Sequence, residues 1–223
     1  AAGYSTGMKW QGSKTRWVGI AVAAFFAVLA PCFADGRVVD VSRAGDAAYL
    51  DGLGISGEGN RIVLRDEGIT YTLTGTNTNL SIAAGASLGV ELGGVDVQSS
   101  GDFAALDLAG HAVEVSLLAG TSNRLAGCGL GAGLQVGTGA FLILAGEGEL
   151  TAVGGGAGIG GARGTNCGNI WIKGGTVTAT GGRGSAGIGD GRRNPPAVLP
   201  VPKGLRAPSR RIAISGGTIT AKG

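Results

Sequence analysis

The stretch Ala157–Gly191 (AGIGGARGTNCGNIWIKGGTVTATGGRGSAGIGDG) contains a short unit that is nearly repeated. Its opening, Ala157–Gly160, returns as Ala186–Gly189, and the run Gly174–Ala179 (GGTVTA) returns as Gly216–Ala221 (GGTITA). Weaker copies of the opening small-small-aliphatic triplet begin upstream at residues 104 and 132. Self-similarity at a spacing of 25 to 29 residues is typical of repeat architectures.

Each triplet is followed by short runs of β-branched and aliphatic residues bounded by glycine. These runs are Val113–Leu117, Phe141–Leu144, Glu149–Val153, Ile170–Ile172, Thr176–Thr180 and Ile212–Ile214. Such runs predict strands and tight turns, and the 47 glycines disfavour helices. Coils of three short strands, stacked on one another, predict an all-β parallel β-helix, a solenoid; a β-sandwich is the alternative. The triplet aliphatics are expected to stack inward: Leu106, Leu134, Ile159 and Ile188.

The chain divides into three predicted parts: a leader (1–34), an N-terminal segment or cap (35–68) and the repeats (69–223). In the leader, three basic residues precede the thirteen-residue apolar stretch Val18–Ala30, and the small residues Cys32 and Ala34 follow it. Thirteen apolar residues are short for a membrane span, so this pattern predicts a signal peptide cleaved after Ala34. We expect no transmembrane span after that cleavage.

Charge separates the repeats from a basic, proline-rich stretch near the end. Residues 35–191 carry 8 Lys and Arg against 15 Asp and Glu, whereas residues 192–223 carry 7 Lys and Arg and no acid. Arg192–Arg211 holds five of the six prolines and predicts a solvent-exposed loop inserted into the repeats at 192–211. Such a patch could attract an anionic glycan, a phosphate polymer or nucleic acid. A tolerated insertion without a partner is favoured, and no nucleic-acid partner is expected.

Residues with catalytic or metal-binding potential do not form a recognisable pattern. His111 is the only histidine, no serine or cysteine motif frames it, and no Cys-x-x-Cys spacing suggests zinc. The acidic residues considered for glycan cleavage are scattered over the repeats: Asp102, Asp107, Glu147, Glu149 and Asp190. We therefore expect no catalytic residue, no metal and no cofactor. Cys128 and Cys167 fall at different points of the repeat, which argues against a disulfide.

Two surface features remain. Trp171 lies between two predicted inward residues, Ile170 and Ile172, so strand alternation points it outward, with Lys173 on the same face. This pair is the candidate ligand-binding site, because an indole can stack on a sugar ring; partial packing under a loop is the alternative. A Thr-x-Thr pattern recurs at residues 72–74, 176–178 and 218–220, and ice-binding solenoids use stacked threonines on a flat face. Glu149 stands where the middle repeat would have its first threonine, which disfavours ice binding.

Three motifs carry a family resemblance. Tyr71–Thr76 (YTLTGT), Ala157–Gly161 (AGIGG) and Ile212–Ala221 (IAISGGTITA) resemble the glycine-rich repeats of bacterial secreted and cell-surface proteins with a pectin-lyase-like right-handed β-helix. They resemble carbohydrate-binding β-helix proteins less closely. The resemblance covers Ile69–Gly223 and implies export, a right-handed β-helix, and surface adhesion or glycan binding. It carries over no catalytic residue.

These observations predict a non-catalytic secreted or cell-surface module that is structural or adhesive and binds extracellular polysaccharide or cell-wall glycan. The alternative is a polysaccharide lyase or glycoside hydrolase on a pectin-lyase-like fold, and ice binding is the least favoured reading. The sequence ends at Lys222-Gly223, where earlier units continue. We therefore expect further coils or an anchoring domain downstream, and self-association through an uncapped C-terminal rung.

Overall fold

The computed structural model describes residues 36–192 and 211–223. The predicted leader and residues 193–210 of the predicted insertion lie outside the described residues. Within those two ranges the chain forms eighteen short strands, a 3-10 turn at Val41–Arg43 and one short helix, α1, at Ala47–Gly52. The all-β prediction is therefore confirmed.

The first six strands precede the regular repeats. They are β1 Gly36–Asp40, β2 Ile55–Glu58, β3 Arg61–Leu64, β4 Thr70–Asn77, β5 Ser81–Ala84 and β6 Leu88–Gln98. Among these six, β1 pairs in parallel with β4, β3 with β5, and β4 with β6. The predicted N-terminal segment, 35–68, thus contributes β1 and β3 to the same parallel stacking as the repeats. The β2–β3 hairpin is antiparallel.

From residue 106 onward, each coil contributes three strands. The first two coils are β7 Leu106–Asp107, β8 Ala112–Leu117, β9 Ser122–Ala126, and β10 Leu134–Gln135, β11 Phe141–Gly146, β12 Glu149–Val153. The next two are β13 Ile159–Gly160, β14 Asn169–Ile172, β15 Thr176–Thr180, and β16 Ile188–Gly189, β17 Ile212–Ile214, β18 Thr218–Lys222. Every strand pairs in parallel with its equivalent in the neighbouring coil. The described residues thus build one eleven-stranded and one seven-stranded sheet.

The predicted inward stack is confirmed. Leu106 pairs in register with Leu134, Leu134 with Ile159, and Ile159 with Ile188. The first three are fully buried, and Ile188 packs partly buried against the same core. Equal register in these four coils stacks the four side chains in one apolar column, and burial of such apolar surface is the dominant favourable contribution to folding.

A corner in the eleven-stranded sheet is fixed by a buried asparagine. Strand β6 pairs with β8 before Gly93 and with β9 after Gly94, so the sheet bends within a single strand. Gly94 has φ of 86°, a conformation that favours glycine. The Asn123 side chain, buried at the bend, accepts hydrogen bonds from the amides of Gly94 and Val95 at 2.8 and 3.0 Å and donates to the Glu149 carbonyl at 3.0 Å. Those bonds satisfy its polar atoms and hold the bend.

A second corner depends on glycines that stack between coils. A Cβ on Gly155 would overlap the carbonyl oxygen of Gly129, and a Cβ on Gly182 would overlap that of Gly155. Successive backbones therefore approach more closely here than any side chain allows. This close approach explains why glycine clusters recur between the strands of the repeat.

The N-terminal end is covered by non-repetitive structure. Asp46 caps α1 by accepting a hydrogen bond from the Tyr49 amide at 3.0 Å, and Leu50 of that helix is buried in the core. Arg37 on β1 forms an ion pair with Asp66. Within residues 36–192 and 211–223, no helix has the length and apolar character needed to cross a lipid bilayer.

Candidate functional site

Trp171 lies on the outward side of β14. Its neighbours on the strand, Ile170 and Ile172, are buried, whereas 36% of Trp171 is exposed. Strand alternation therefore places the indole where the sequence predicted it. Because β14 is held between β11 and β17 by parallel pairing on both sides, the ring projects from a backbone with little freedom to move.

Two polar side chains fix the indole. The Trp171 Nε1 donates a hydrogen bond to the Ser215 Oγ at 3.1 Å, across the β14–β17 pair. The Lys173 Nζ lies 4.5 Å from the centre of the indole ring, a cation–π distance. Lys173 is itself exposed, and its amide donates to the Leu144 carbonyl at 2.7 Å. The two predicted binding residues therefore lie together on one surface.

The cross-strand neighbours of the indole are apolar. In register with Trp171 are Ile143 on β11 and Ala213 on β17. Ile143 is buried although it is on the outward side of its strand, and Ala213 offers only a methyl group. The exposed indole thus has an isoleucine and an alanine as its cross-strand neighbours, and we call the set Trp171, Lys173 and Ser215 the indole platform.

Most of the scattered acidic side chains bind groups within the protein. Asp102 accepts from the Leu130 amide at 3.1 Å, and Asp107 accepts from the Ala109 amide at 2.9 Å. Glu149 and Asp190 accept from Ser122 Oγ at 2.8 Å and from the Cys167 amide at 2.7 Å. Hydrogen bonds of this kind hold turns and strand ends together.

Two carboxylates do share the outward face of the indole platform. Glu114 on β8 is in register with Ile143, which in turn is in register with Trp171. Glu91 lies on the neighbouring strand β6, on the same outward side, and accepts a hydrogen bond from the Thr72 Oγ1 at 2.7 Å. The search of the sequence for paired acidic residues did not find Glu91 and Glu114, because β6 and β8 become neighbours only through the pairing of the sheet.

The threonine pattern forms a small patch on the other outward face. Thr176 is in register with Thr218, and Thr178 with Thr220. Glu149 occupies the position next to Thr176 in the preceding coil, as the sequence indicated. The first threonine column is therefore interrupted at that coil, whereas the second continues there with Thr151, which is in register with Thr178.

Histidine and cysteine do not assemble with these residues. His111 is half-buried in the turn before β8, and its amide donates to the Leu108 carbonyl at 2.8 Å. Cys128 and Cys167 are not joined by a disulfide. Among the residues that the structure describes, no group of three or more His, Cys, Asp or Glu side chains is arranged to hold a metal ion.

One comparison with known proteins finds a match. Residues 170–192 and 212–223 match a family model described as a beta helix repeat. The two matched segments flank residues 193–211 and contain β15 to β18 and all of β14 except its first residue, including the indole platform. No curated protein and no solved structure matches the chain. The chain is thus similar, over its last two coils, to the β-helix repeat.

Proposed function

We propose that the chain is a right-handed parallel β-helix that serves as a non-catalytic, secreted or cell-surface module and holds polysaccharide on the indole platform. The observation that carries this proposal is the exposed Trp171 ring, fixed by Ser215 on a strand paired on both sides. The β-helix repeat match supports the fold. The leader-like stretch and the resemblance to bacterial surface proteins support export.

The platform has the chemistry that sugar binding needs. A sugar ring presents a flat face of C–H groups, which packs against an aromatic face, and hydroxyl groups at its edge, which need hydrogen-bond partners. Trp171 supplies the aromatic face. Lys173 supplies a charged donor on a flexible chain, and that chain can turn from the indole toward a hydroxyl or a carboxylate. Ser215 keeps the indole oriented.

Retention on insoluble polysaccharides tests the proposal. The parent chain is compared with Trp171→Ala, Lys173→Gln and Ser215→Ala, and with Leu130→Ala, which removes another exposed apolar side chain far along the sequence. Trp171→Ala should weaken retention about tenfold or more, since aromatic anchors dominate such contacts. Ser215→Ala should weaken retention less, and Leu130→Ala should leave it unchanged.

Folding has to be checked in the same samples. Trp171 is partly exposed, so the circular dichroism spectrum of Trp171→Ala should match the parent and its melting point should stay within about 3 °C. If Trp171→Ala folds normally and binds every polysaccharide as the parent does, the platform is not a binding site.

A second candidate function is favoured by the shared face of Glu91 and Glu114. Glycoside hydrolysis uses two carboxylates roughly 5–10 Å apart, and a substrate seated on Trp171 would extend toward β8 and β6. Release of reducing or unsaturated sugars by the parent chain, lost in Glu114→Gln, would establish a hydrolase or lyase. Binding without any release favours the non-catalytic module.

A further inference from the structure

A cleft on the seven-stranded sheet lies at the opposite end of the chain from the indole platform. It has a volume of about 550 Å³, within the size range of roughly 300–1,000 Å³ that is typical of ligand sites. The β2–β3 hairpin forms one side of it, and the loop before β7 forms the other. Its polar lining includes Ser56, Asn60 and Ser100.

Two arginines and an aromatic ring line this cleft. Arg61 begins β3 and Arg65 directly follows it, so strand alternation puts both on the outward side. Phe103 exposes 53% of its surface, which is unusual for a phenyl group on a well-braced loop. The Arg61 guanidinium carbon lies 5.9 Å from the centre of the Phe103 ring.

The guanidinium groups have unused donors. The Nε of Arg61 is buried and has no hydrogen-bond partner, and its nearest acidic partner, the Asp107 carboxylate, lies 4.0 Å away. Arg65 donates from Nε to the Ser56 Oγ at 2.6 Å. Among the described residues no acceptor contacts the terminal nitrogens of Arg65. Guanidinium nitrogens that border a cleft can bind two oxygens of one oxyanion at once.

The phenyl group is held in place by its own loop. Ser99 is buried, and its hydroxyl donates to the Phe103 carbonyl. The neighbouring Asp102 binds the Leu130 amide of the next coil at 3.1 Å. These two contacts brace the loop on both sides of the ring, so the exposure of Phe103 is a fixed feature of the surface.

We propose that this cleft binds a saccharide that carries an oxyanion, either a carboxylate or a sulfate ester. The guanidinium groups of Arg61 and Arg65 bind the oxyanion, the Phe103 ring packs against the apolar face of the sugar, and Ser56, Asn60 and Ser100 bind hydroxyl groups. Glu58 is the one acidic residue in the lining, and Asp107 lies 4.0 Å from Arg61, so Arg65 is the guanidinium group on which the oxyanion chiefly depends. This site is separate from the indole platform and does not depend on it.

The test is calorimetric titration of the whole chain with four probes: a 6-O-sulfated disaccharide, a uronate disaccharide, neutral cellobiose and inorganic sulfate. The anionic disaccharides should bind, and their affinity should fall as ionic strength rises. Cellobiose and inorganic sulfate should bind much more weakly, since each lacks one half of the recognised ligand. The stronger of the two disaccharides identifies the oxyanion. Equal binding of cellobiose would overturn the proposal.

Variants locate the binding. Arg65→Gln changes an exposed side chain with a single hydrogen bond, so it should fold normally and weaken the anionic disaccharides about tenfold or more. Phe103→Ala should weaken the disaccharides and leave the response to inorganic sulfate unchanged. Arg124→Gln, which removes an exposed arginine on another face, and Trp171→Ala should bind as the parent does. Unchanged affinity in Arg65→Gln, or loss in Trp171→Ala, would show that the cleft is not the site.

Discussion

The two ends of the described stack carry similar apolar residues in very different surroundings. At the N-terminal end, Val39 of β1 and Leu50 of α1 are buried in the core. In the last coil, Ile212 and Ile214 are 43% and 54% exposed. Their register partners one coil earlier, Ile170 and Ile172, are fully buried.

The difference shows that the repeat itself does not bury its residues; the neighbouring coil does. Each coil presents one apolar row to the coil before it and one to the coil after it, as expected for a solenoid. Strands β16, β17 and β18 each lie at an end of a sheet, and the apolar side chains of β17 are exposed to solvent. At the other end, a helix and an antiparallel hairpin replace the missing neighbour.

The largest effect should come from placing a charge in the middle of the stack. Ile159→Asp buries a carboxylate without a partner between Leu134 and Ile188 and should lower the free energy of unfolding by about 3–5 kcal/mol. Ile172→Asp should do the same. Urea denaturation followed by circular dichroism measures both.

The matched variant at the open end is Ile214→Asp. It is the same chemical change in the same column as Ile172, but the side chain is half exposed, so the loss should be under about 1 kcal/mol. Equal losses for Ile172→Asp and Ile214→Asp would mean that the last coil is covered in solution and that the contrast between the two ends is wrong.

The next largest expected effect is self-association of the chain through its C-terminal coil. An exposed apolar row next to unpaired strand edges favours pairing with another chain. Because the apolar residues of the described N-terminal end are buried, we expect the matching surface on a second copy to be the coil of β16, β17 and β18, which would give a two-fold dimer. Sedimentation velocity from micromolar to near-millimolar concentration should show a growing dimer peak for the parent chain.

Ile214→Lys should reduce this dimer, because it places a charge on the apolar row. Leu130→Lys changes another exposed aliphatic residue away from that coil and should dimerise as the parent does. A parent chain that stays monomeric over the whole concentration range contradicts association through the last coil.

The stacking of the repeats followed from the sequence because their signals are local. The four triplet aliphatics and the strand alternation around Trp171 each depend on a few adjacent residues, and the structure places both as expected. The contact between Trp171 and Ser215 was not predictable in the same way. It joins residues 44 positions apart and depends on the exact register of β14 and β17.

The cleft lined by Arg61, Arg65 and Phe103 could not be predicted from the sequence for the same physical reason. The alternation in Arg61–Arg65 (RIVLR) is a strand signal that could have put both arginines on one face. Phe103, however, follows some forty residues later and reaches Arg61 only because β3, β5 and β7 pair side by side. Sequence pattern predicts which side a residue faces, whereas pairing register decides what it meets there.

The smallest expected effect is a difference between the two ends of the stack in how their stability changes at acidic pH. The Arg43 side chain and the Tyr49 amide hold the pKa of Asp46 below its usual value of 3.8 by hydrogen bonding to the carboxylate. Ser42, through its hydroxyl and its amide, lowers the pKa of Asp40 in the same way. A carboxyl group whose pKa is lower in the folded state stabilises that state above its unfolded pKa and loses this contribution as pH falls through the folded value.

The N-terminal end should therefore loosen first in acid. Protection of the Tyr49 amide against hydrogen exchange should be constant above pH about 4 and fall below it. The Thr218 amide, in a C-terminal segment without acidic residues, should keep its protection over the same range. Asp46→Asn should remove the pH dependence at Tyr49, since the amide side chain still caps α1 but does not titrate. Constant Tyr49 protection in the parent chain down to pH about 2.5 would show that this cap does not stabilise the covered end.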